Sequence, residues 1–513
     1  MTTRIESNPP GHRLHRVGDF DVAPRIVEIL SRHPAVGLTL GVVRDGRLEF
    51  FHGHGLADIA SNTPVTADTV FRIGSITKTF TAMAVMQLWE WGLINLDAPA
   101  NDYLRAYRLD STDTTFRPVT VRHLLTHTSG IPEVLRVADL LHPSWGPFDG
   151  RPPVHSVAIG EPIPSLAECY RGALKSVVEP GSDFAYSNHG FATLGQIIED
   201  VSGLPLEHYF QEHLFTPMGM ADTDLVPSER IRARLATGYV LGPSGAKAIT
   251  DREWVGRAGG GIYSSSNDIA RYVAALLNGG SNQHGSVLQP ATLATVFQYH
   301  HQSDSRLPGI GLGFFRHEAS GHPLVGHDGI LPGFNSSLLV APDDGIGIFA
   351  FTNGSIRAMV WLPEEFERLL REMLGIPDEA VRTDIPQHPE IWGDLCGRYQ
   401  FSPVGDLRGR LMTGLGAEVF IRRGRLMIRL LTPIPAVYRG FPLHPDHEAD
   451  PYVLRLDLSR FGMPTVRLVF DVDDGPGPAA MHTDLGGQPI SLYRASSGVR
   501  LRRVGRSQKE SQK

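Results

Sequence analysis

Phe71-Arg72-Ile73-Gly74-Ser75-Ile76-Thr77-Lys78-Thr79-Phe80 is the stretch on which both fold and chemistry turn. Ser75 and Lys78 stand three residues apart at the mouth of an apolar helix, where i and i+3 are neighbours on one face. The spacing puts a hydroxyl beside an amine. A serine hydroxyl becomes a useful nucleophile once a neighbour takes its proton, and a lysine can do so when burial or nearby cations pull its pKa down from about 10.4. Unpaired backbone N–H groups at the helix mouth favour negative charge developing on an attacked substrate. Taken alone, Ser-x-x-Lys also fits an N-cap serine with a solvated lysine. The run from Thr79 to Trp89 argues against that reading, because it is apolar on nearly every face and so marks a buried helix.

Working outward, Asp21 to Arg32 reads as an amphipathic helix with Val22, Ile26, Ile29 and Leu30 on one side and Pro24 in its first turn. Val36 to Val43 and Arg47 to His52 are β-rich runs joined by Asp45-Gly46, a strong hairpin signal. Leu93 to Pro132 is helical and turn-rich. Its His123 and His127 have an i,i+4 spacing that metal ligands can use, but with no Glu between them they read as polar residues near a helix end at Gly130 and Pro132. Leu141 to Pro164 is dense in Pro and Gly, and its Trp145 and Phe148 read as a cover over a pocket. Gly181 to Gly190 is a turn-rich approach to a helix over Phe191 to Val201. Ala258 to Asp268 lacks a P-loop lysine and reads as a strand turning into a helix from Asp268 to Leu277.

His322 to Asn353 is β again, with runs Asn335 to Pro342 and Ile346 to Thr352 about Asp343-Asp344-Gly345. Pro363 to Leu374 reads as an amphipathic helix. The expected fold class is α/β: an antiparallel sheet built from both ends of this region, flanked by helices, with a mostly helical subdomain inserted. After Gly375 the texture changes to short strands and turns. Ala417 to Arg422 and Arg425 to Leu431 flank Arg423-Gly424, with Val419, Ile421, Leu426, Ile428 and Leu430 on one face. Tyr452 to Leu458, Thr465 to Val472 and Pro489 to Tyr493 continue the pattern, so a separate, small, lipocalin-like β-barrel of about eight strands is expected.

A chain of 513 residues is too long for one ordinary core. The expected division is a tail over 1–20, an α/β domain over 21–376, a linker over 377–390, a barrel over 391–497 and a basic, frayed tail over 498–513. A net charge of -7 sets nucleic-acid binding aside. Cys169 and Cys396 read as two thiols without a disulfide framework. Met1 to Phe20 has no apolar signal core and no run approaches the roughly 20 apolar residues of a membrane span, so a cytoplasmic location and no membrane partner are expected. Among the 22 histidines, His52 with His54 and His322 with His327 lie near each other without a supporting carboxylate, so neither metal nor other cofactor is expected.

Ser75-x-x-Lys78, Tyr186-x-Asn188 and His327-x-Gly329 occur in that order. Together they resemble the penicillin-recognising serine hydrolases, the superfamily of serine β-lactamases and penicillin-binding proteins. The resemblance covers about Val36 to Leu374. The Tyr-x-Asn form, with Leu124 to Pro132 and Leu214-Phe215-Thr216-Pro217-Met218-Gly219-Met220, is similar to the class C β-lactamase and esterase branch. It implies that Ser75 is acylated, that Lys78 accepts its proton, and that Tyr186, with a pKa lowered by Lys78, protonates the leaving group and later orients water. It further implies an oxyanion hole from the N–H groups of Ser75 and Ile330, close approach of substrate at Gly329, and hydrogen bonds from Asn188 to Lys78 and a substrate amide. The bland alternatives are a half-buried tyrosine at 186, a helix cap at Asn188 and a satisfied strand histidine at 327.

His327 stands where β-lactamases and transpeptidases usually carry Lys, and histidine is only partly charged near neutrality. With the appended barrel, this resembles the D-aminopeptidase, amidase and esterase members. The expected activity is acyl-enzyme hydrolysis of a small ester, amide or short peptide. A β-lactamase or an acyltransferase would use the same chemistry; a low-turnover penicillin-binding sensor is the alternative of another class. The barrel's expected roles are a ligand holder, a wall limiting substrate size or a homo-oligomer contact.

Overall fold

The computed structural model describes residues 16–17, 20–133, 156–170, 172, 174–378, 380–402, 416–432, 438–461, 465–472, 479–485 and 488–495. Most of the expected N-terminal tail, the C-terminal tail and most of the expected pocket cover, including Trp145 and Phe148, lie outside the described residues.

In the first part of the chain, helix α1 (Ala23–Arg32) precedes strands β1 (Gly37–Arg44), β2 (Arg47–Asp58) and β3 (Thr63–Pro64). Then come helices α2 (Thr77–Glu90), α3 (Val121–Leu125), α4 (Asn188–Ser202) and α5 (Ser266–Leu277). Strands β4 (Gly309–Ile310), β5 (Phe315–Ala319), β6 (His322–Leu331), β7 (Phe334–Ala341) and β8 (Ile346–Thr352) follow, then helix α6 (Ala358–Met373). The eight strands form one antiparallel sheet in the order β4-β5-β6-β7-β8-β1-β2-β3, so strands from both ends of this part meet at β8 and β1. The β1–β2 hairpin turns at Asp45 and Gly46, both with positive φ, as the Asp-Gly pair implies.

β1 is buried over its first seven residues because both faces of the sheet are covered. On one face Leu38, Leu40 and Val42 pack with Ile26 and Ile29 of α1 and with Trp361, Leu362 and Phe366 of α6. On the other, the Thr39 hydroxyl is 2.8 Å from that of Ser266 at the start of α5. α6 begins five residues before the expected Pro363, which lies inside it. The preceding residues carry Trp361 and Leu362 into the core, and that burial outweighs the one ladder bond the proline cannot donate.

α2 is buried continuously from Thr77 to Leu88. Phe80 stacks on Tyr272 of α5 with centroids 3.9 Å apart, and the Tyr272 hydroxyl donates to Thr79 at 2.8 Å. Such a helix has no solvated face, so a polar residue in it needs internal partners.

The second part is a closed antiparallel barrel: β9 (Gly397–Phe401), β10 (Ala417–Arg422), β11 (Arg425–Leu430), β12 (Phe441–Pro445), β13 (Val453–Leu456), β14 (Val466–Asp471), β15 (Ala480–Leu485) and β16 (Gln488–Arg494). β9 pairs with β16 to close it. Its interior is packed with side chains that include Tyr399, Val419, Ile428 and Phe470. Ile421 departs from expectation: its register with Leu426 puts both on one face, yet Ile421 is 50 % exposed because it lies beside the hairpin tip, beyond the filled barrel. Leu430 is half-buried.

The two parts touch through Leu307, which packs against Val453 and Val469, and through Arg306, which donates to Asp450 at 2.7 Å. A third contact bears on the site. Asp183 accepts from Ser402 Oγ at 2.9 Å and from the Tyr493 hydroxyl, both of the barrel.

Candidate active site

Ser75 lies in a 3-10 turn, Gly74–Ile76, that runs directly into α2, so Lys78 sits in the helix's first turn. The turn is bolted to β7, through Ser336, and to β6, through Ile330. Ser336 Oγ donates to the Ile73 carbonyl at 2.7 Å, and a Cβ added at Gly74 would come within 2.9 Å of the Ile330 nitrogen. Gly329 is required by this packing: a Cβ there would lie 2.1 Å from the Ile73 oxygen and 2.2 Å from Ser336 Oγ. This packing against the Ser75 turn is a reason for glycine separate from the expected room for substrate. β5 pairs with β6 only as far as Gly326, so β6 from His327 to Leu331 has no β5 partner among the described residues.

Lys78 is fully buried and, as an ammonium, donates three hydrogen bonds: to Ser75 Oγ at 3.0 Å, to Asn188 Oδ1 at 2.7 Å and to the Gly259 carbonyl at 2.5 Å. Burial pulls its pKa down to about 7, against a smaller upward pull from Glu133. Near neutral pH a large fraction of this amine is thus free to accept a proton.

Tyr186 is hydrogen-bonded with Ser75, and the Lys78 ammonium lies 4.9 Å from its ring centroid. Its pKa moves opposite to expectation. Burial raises it, the Ser75 hydrogen bond opposes only in part, and the nearby carboxylates of Glu133 and Asp328 add to the rise. Tyr186 is therefore a neutral phenol, a proton donor rather than a resting base.

Asn188 does not cap α4. Ser187 does, accepting from the Gly190 N–H at 3.3 Å, which starts the helix three residues ahead of Phe191. Asn188 Oδ1 is already taken by Lys78, so its remaining amide proton is what a substrate would meet. His327 is almost fully buried, with its ring centroid 6.1 Å from that of Tyr186. Ile330 is 38 % exposed beside the Ser75 turn.

Three further groups belong to the site. Glu133 accepts from the Asn188 backbone N–H at 2.8 Å and from Asn188 Nδ2 at 2.7 Å, fixing which end of that amide faces Lys78. His127, expected to be a bland residue at a helix end, stacks on Tyr186 at 4.3 Å and accepts from the Ser187 N–H through Nδ1 at 3.1 Å. The Gly259 carbonyl belongs to a 3-10 turn, Arg257–Gly259, within the Gly-rich run. Periodicity carries no signal for these long-range partners.

Glu133→Gln is expected to lower kcat about tenfold and to move the acid limb of the pH–rate profile to lower pH. The variant loses the charge that holds the Lys78 pKa up, and its amide cannot accept from both Asn188 donors. An unchanged profile would leave Glu133 as a structural cap.

His52 and His54 lie along β2 with ring centroids 6.5 Å apart, and among the described residues no group of three His, Cys, Asp or Glu side chains is placed to hold a metal. Neither Cys169 nor Cys396 is in a disulfide. No helix among the described residues is long and apolar enough to cross a membrane.

The sheet with its two helical layers and this cluster define the class: the family described as Beta-lactamase matches residues 22–364, and the chain belongs to that family as an enzyme of its serine-hydrolase type. Penicillin-binding protein 4 of Amycolatopsis lactamdurans is 27% identical over 390 residues, spanning 73% of this chain and 96% of that protein. The D-aminopeptidase of Gluconobacter oxydans is 26% identical over 414 residues, spanning 80% of this chain and 70% of that protein. The octameric penicillin-binding protein homologue from Pyrococcus abyssi has the same fold, with a TM-score of 0.58 at 24% identity over 93% of this chain and all of that one.

Proposed function

We propose that the protein hydrolyses a small ester, amide or short peptide through an acyl-enzyme on Ser75. The carrying observation is a fully buried lysine amine within 3.0 Å of Ser75 Oγ, where burial lowers its pKa to about 7. Neutral Lys78 takes the hydroxyl proton as Oγ bonds to the substrate carbonyl carbon. The oxygen, now negative, is received by the N–H groups of Ser75 and Ile330. As the tetrahedral species collapses, the bond to the leaving group breaks. The proton held on Lys78 reaches that group through the Tyr186 hydroxyl, which gives one proton and regains one. Water then attacks the ester by the reverse proton path, freeing Ser75.

The same acyl-enzyme would pass its acyl group to an alcohol or amine if one entered in place of water. Similarity to a D-aminopeptidase supports amide and peptide substrates.

A fluorophosphonate probe is expected to add one phosphonyl group to the tryptic peptide containing Ser75, and none in Ser75→Ala. p-Nitrophenyl butyrate should acylate the same residue transiently. Labelling elsewhere, or ester turnover kept by Ser75→Ala, would remove Ser75 as nucleophile. A stable acyl adduct with no turnover across esters, anilides and a cephalosporin would favour the sensor.

A further inference from the structure

His327 is held in one tautomer. Its Nδ1 is 2.6 Å from the Asp328 carbonyl oxygen. A carbonyl only accepts, so Nδ1 carries the proton and Nε2 keeps a lone pair. Nε2 is buried and has no hydrogen-bond partner among the described residues. The ring is flanked by Phe315, with centroids 5.1 Å apart, and by Tyr186. Protonating Nε2 would put a second cation near Lys78 in a desolvated pocket, and burial and Lys78 together hold the His327 pKa down to about 3. The position expected from sequence to be partly charged is therefore neutral at any pH at which Lys78 can act as a base.

Nor can Lys78 supply the missing cation. Its ammonium has three N–H bonds, and all three are engaged by Ser75, Asn188 and Gly259. Lys78 is a cation that bears on the charge of His327, and it holds that charge off. His327 stands beside Tyr186, the group that in the proposed reaction protonates the leaving group, so a leaving group held at Tyr186 is the part of the substrate next to the His327 ring. A lone pair repels a carboxylate and pairs with N–H or O–H, and a buried acceptor left unpaired is costly.

We propose that His327 makes this a site for esters and amides whose leaving group carries a hydrogen-bond donor and no free carboxylate. The class is carboxamide-, amino- or hydroxyl-bearing leaving groups, as opposed to the free carboxyl end of a peptide. The inference rests on the acyl-enzyme reading of Ser75.

The test uses two butyryl thioesters that differ in one group, those of thioglycolamide and thioglycolic acid, with p-nitrophenyl butyrate as a substrate bearing neither group. Each enzymatic rate is divided by the uncatalysed rate of the same ester. Wild type is expected to favour the carboxamide over the carboxylate by about tenfold or more in kcat/KM. His327→Lys should narrow or reverse that ratio. His327→Gln, which keeps an acceptor and gains no charge, should retain it. If neither variant folds, the wild-type ratio decides. Wild-type turnover of the carboxylate thioester as fast as the carboxamide, with normal p-nitrophenyl butyrate hydrolysis, overturns this inference and leaves the Ser75 reading intact. If Ser75→Ala also hydrolyses p-nitrophenyl butyrate, or wild type hydrolyses none of the three, both fall.

Discussion

Lys78→Met is expected to lose turnover by about 10³-fold or more and, relative to wild type, to lose stability steadily as pH rises from 7 towards 10. The first effect follows from removing the base that activates Ser75, in a unit whose members act together. The second comes from what burial does to the amine. An unfolded lysine titrates near 10.5 and the folded Lys78 at about 7. Between those values the unfolded chain holds a proton that the folded one does not, so wild-type stability rises with pH there. At and below about 7 the penalty is at its full size, about 5 kcal/mol at 1.36 kcal/mol per unit.

Methionine escapes that penalty but leaves the Gly259 carbonyl and Asn188 Oδ1 without their donor, at about 1–3 kcal/mol each. The absolute difference at pH 7 is therefore small. Its pH dependence is not: the variant should lose about 1.4 kcal/mol relative to wild type for each pH unit above 7. Urea denaturation of both proteins at pH 7, 8 and 9 measures this. A constant difference would mean that Lys78 titrates alike in both states. Wild-type kcat/KM should correspondingly rise as pH passes through about 7, since only the neutral amine accepts the serine proton.

Removing two hydroxyls from the barrel, by Tyr493→Phe with Ser402→Ala, is expected to cost about 3 kcal/mol and to lower kcat at a site on the other part of the chain. Both hydroxyls donate to Asp183, which is 9 % exposed and would keep a buried charge with neither donor. Asp183 lies three residues before Tyr186. On its other side the same run is tied to the α3 loop: Ala185 N–H donates to the His127 carbonyl at 2.7 Å and Ser187 N–H to its ring. The Tyr186 phenol thus sits on a segment gripped from two directions, one grip belonging to the barrel. A fall in kcat with KM little changed, in a variant that keeps its cooperative unfolding, is the expected signature. Ile421→Ala at the exposed rim should change neither quantity. Unchanged kcat in the double variant would reduce the barrel contact to packing.

The site was legible where chemistry follows from short spacing. Ser75 and Lys78 share a turn because three residues along a helix bring side chains together, and the apolar run after them announced a buried helix. The Asp45-Gly46 hairpin, the strand Ile346–Thr352 and the β10–β11 hairpin were legible for the same reason, since turn chemistry and alternation act over a few residues. Glu133, His127 and the Gly259 carbonyl were not. Glu133 is 55 residues from Asn188, His127 is 60 from Ser187 and Gly259 is 181 from Lys78, and no periodicity reports which loop will close over which partner.

Sequence alone determined which reactive groups this protein carries, the turn that joins hydroxyl to amine, the sheet-and-helix part and the separate run of barrel strands. Only the tertiary structure decided what those groups are at neutral pH: a lysine free to take a proton, a tyrosine that keeps its own, and a histidine without charge. Connectivity and residue period act along the chain, so a sequence displays them. Desolvation and hydrogen bonding between distant segments are properties of the packed interior, and in this site they decide where the protons are.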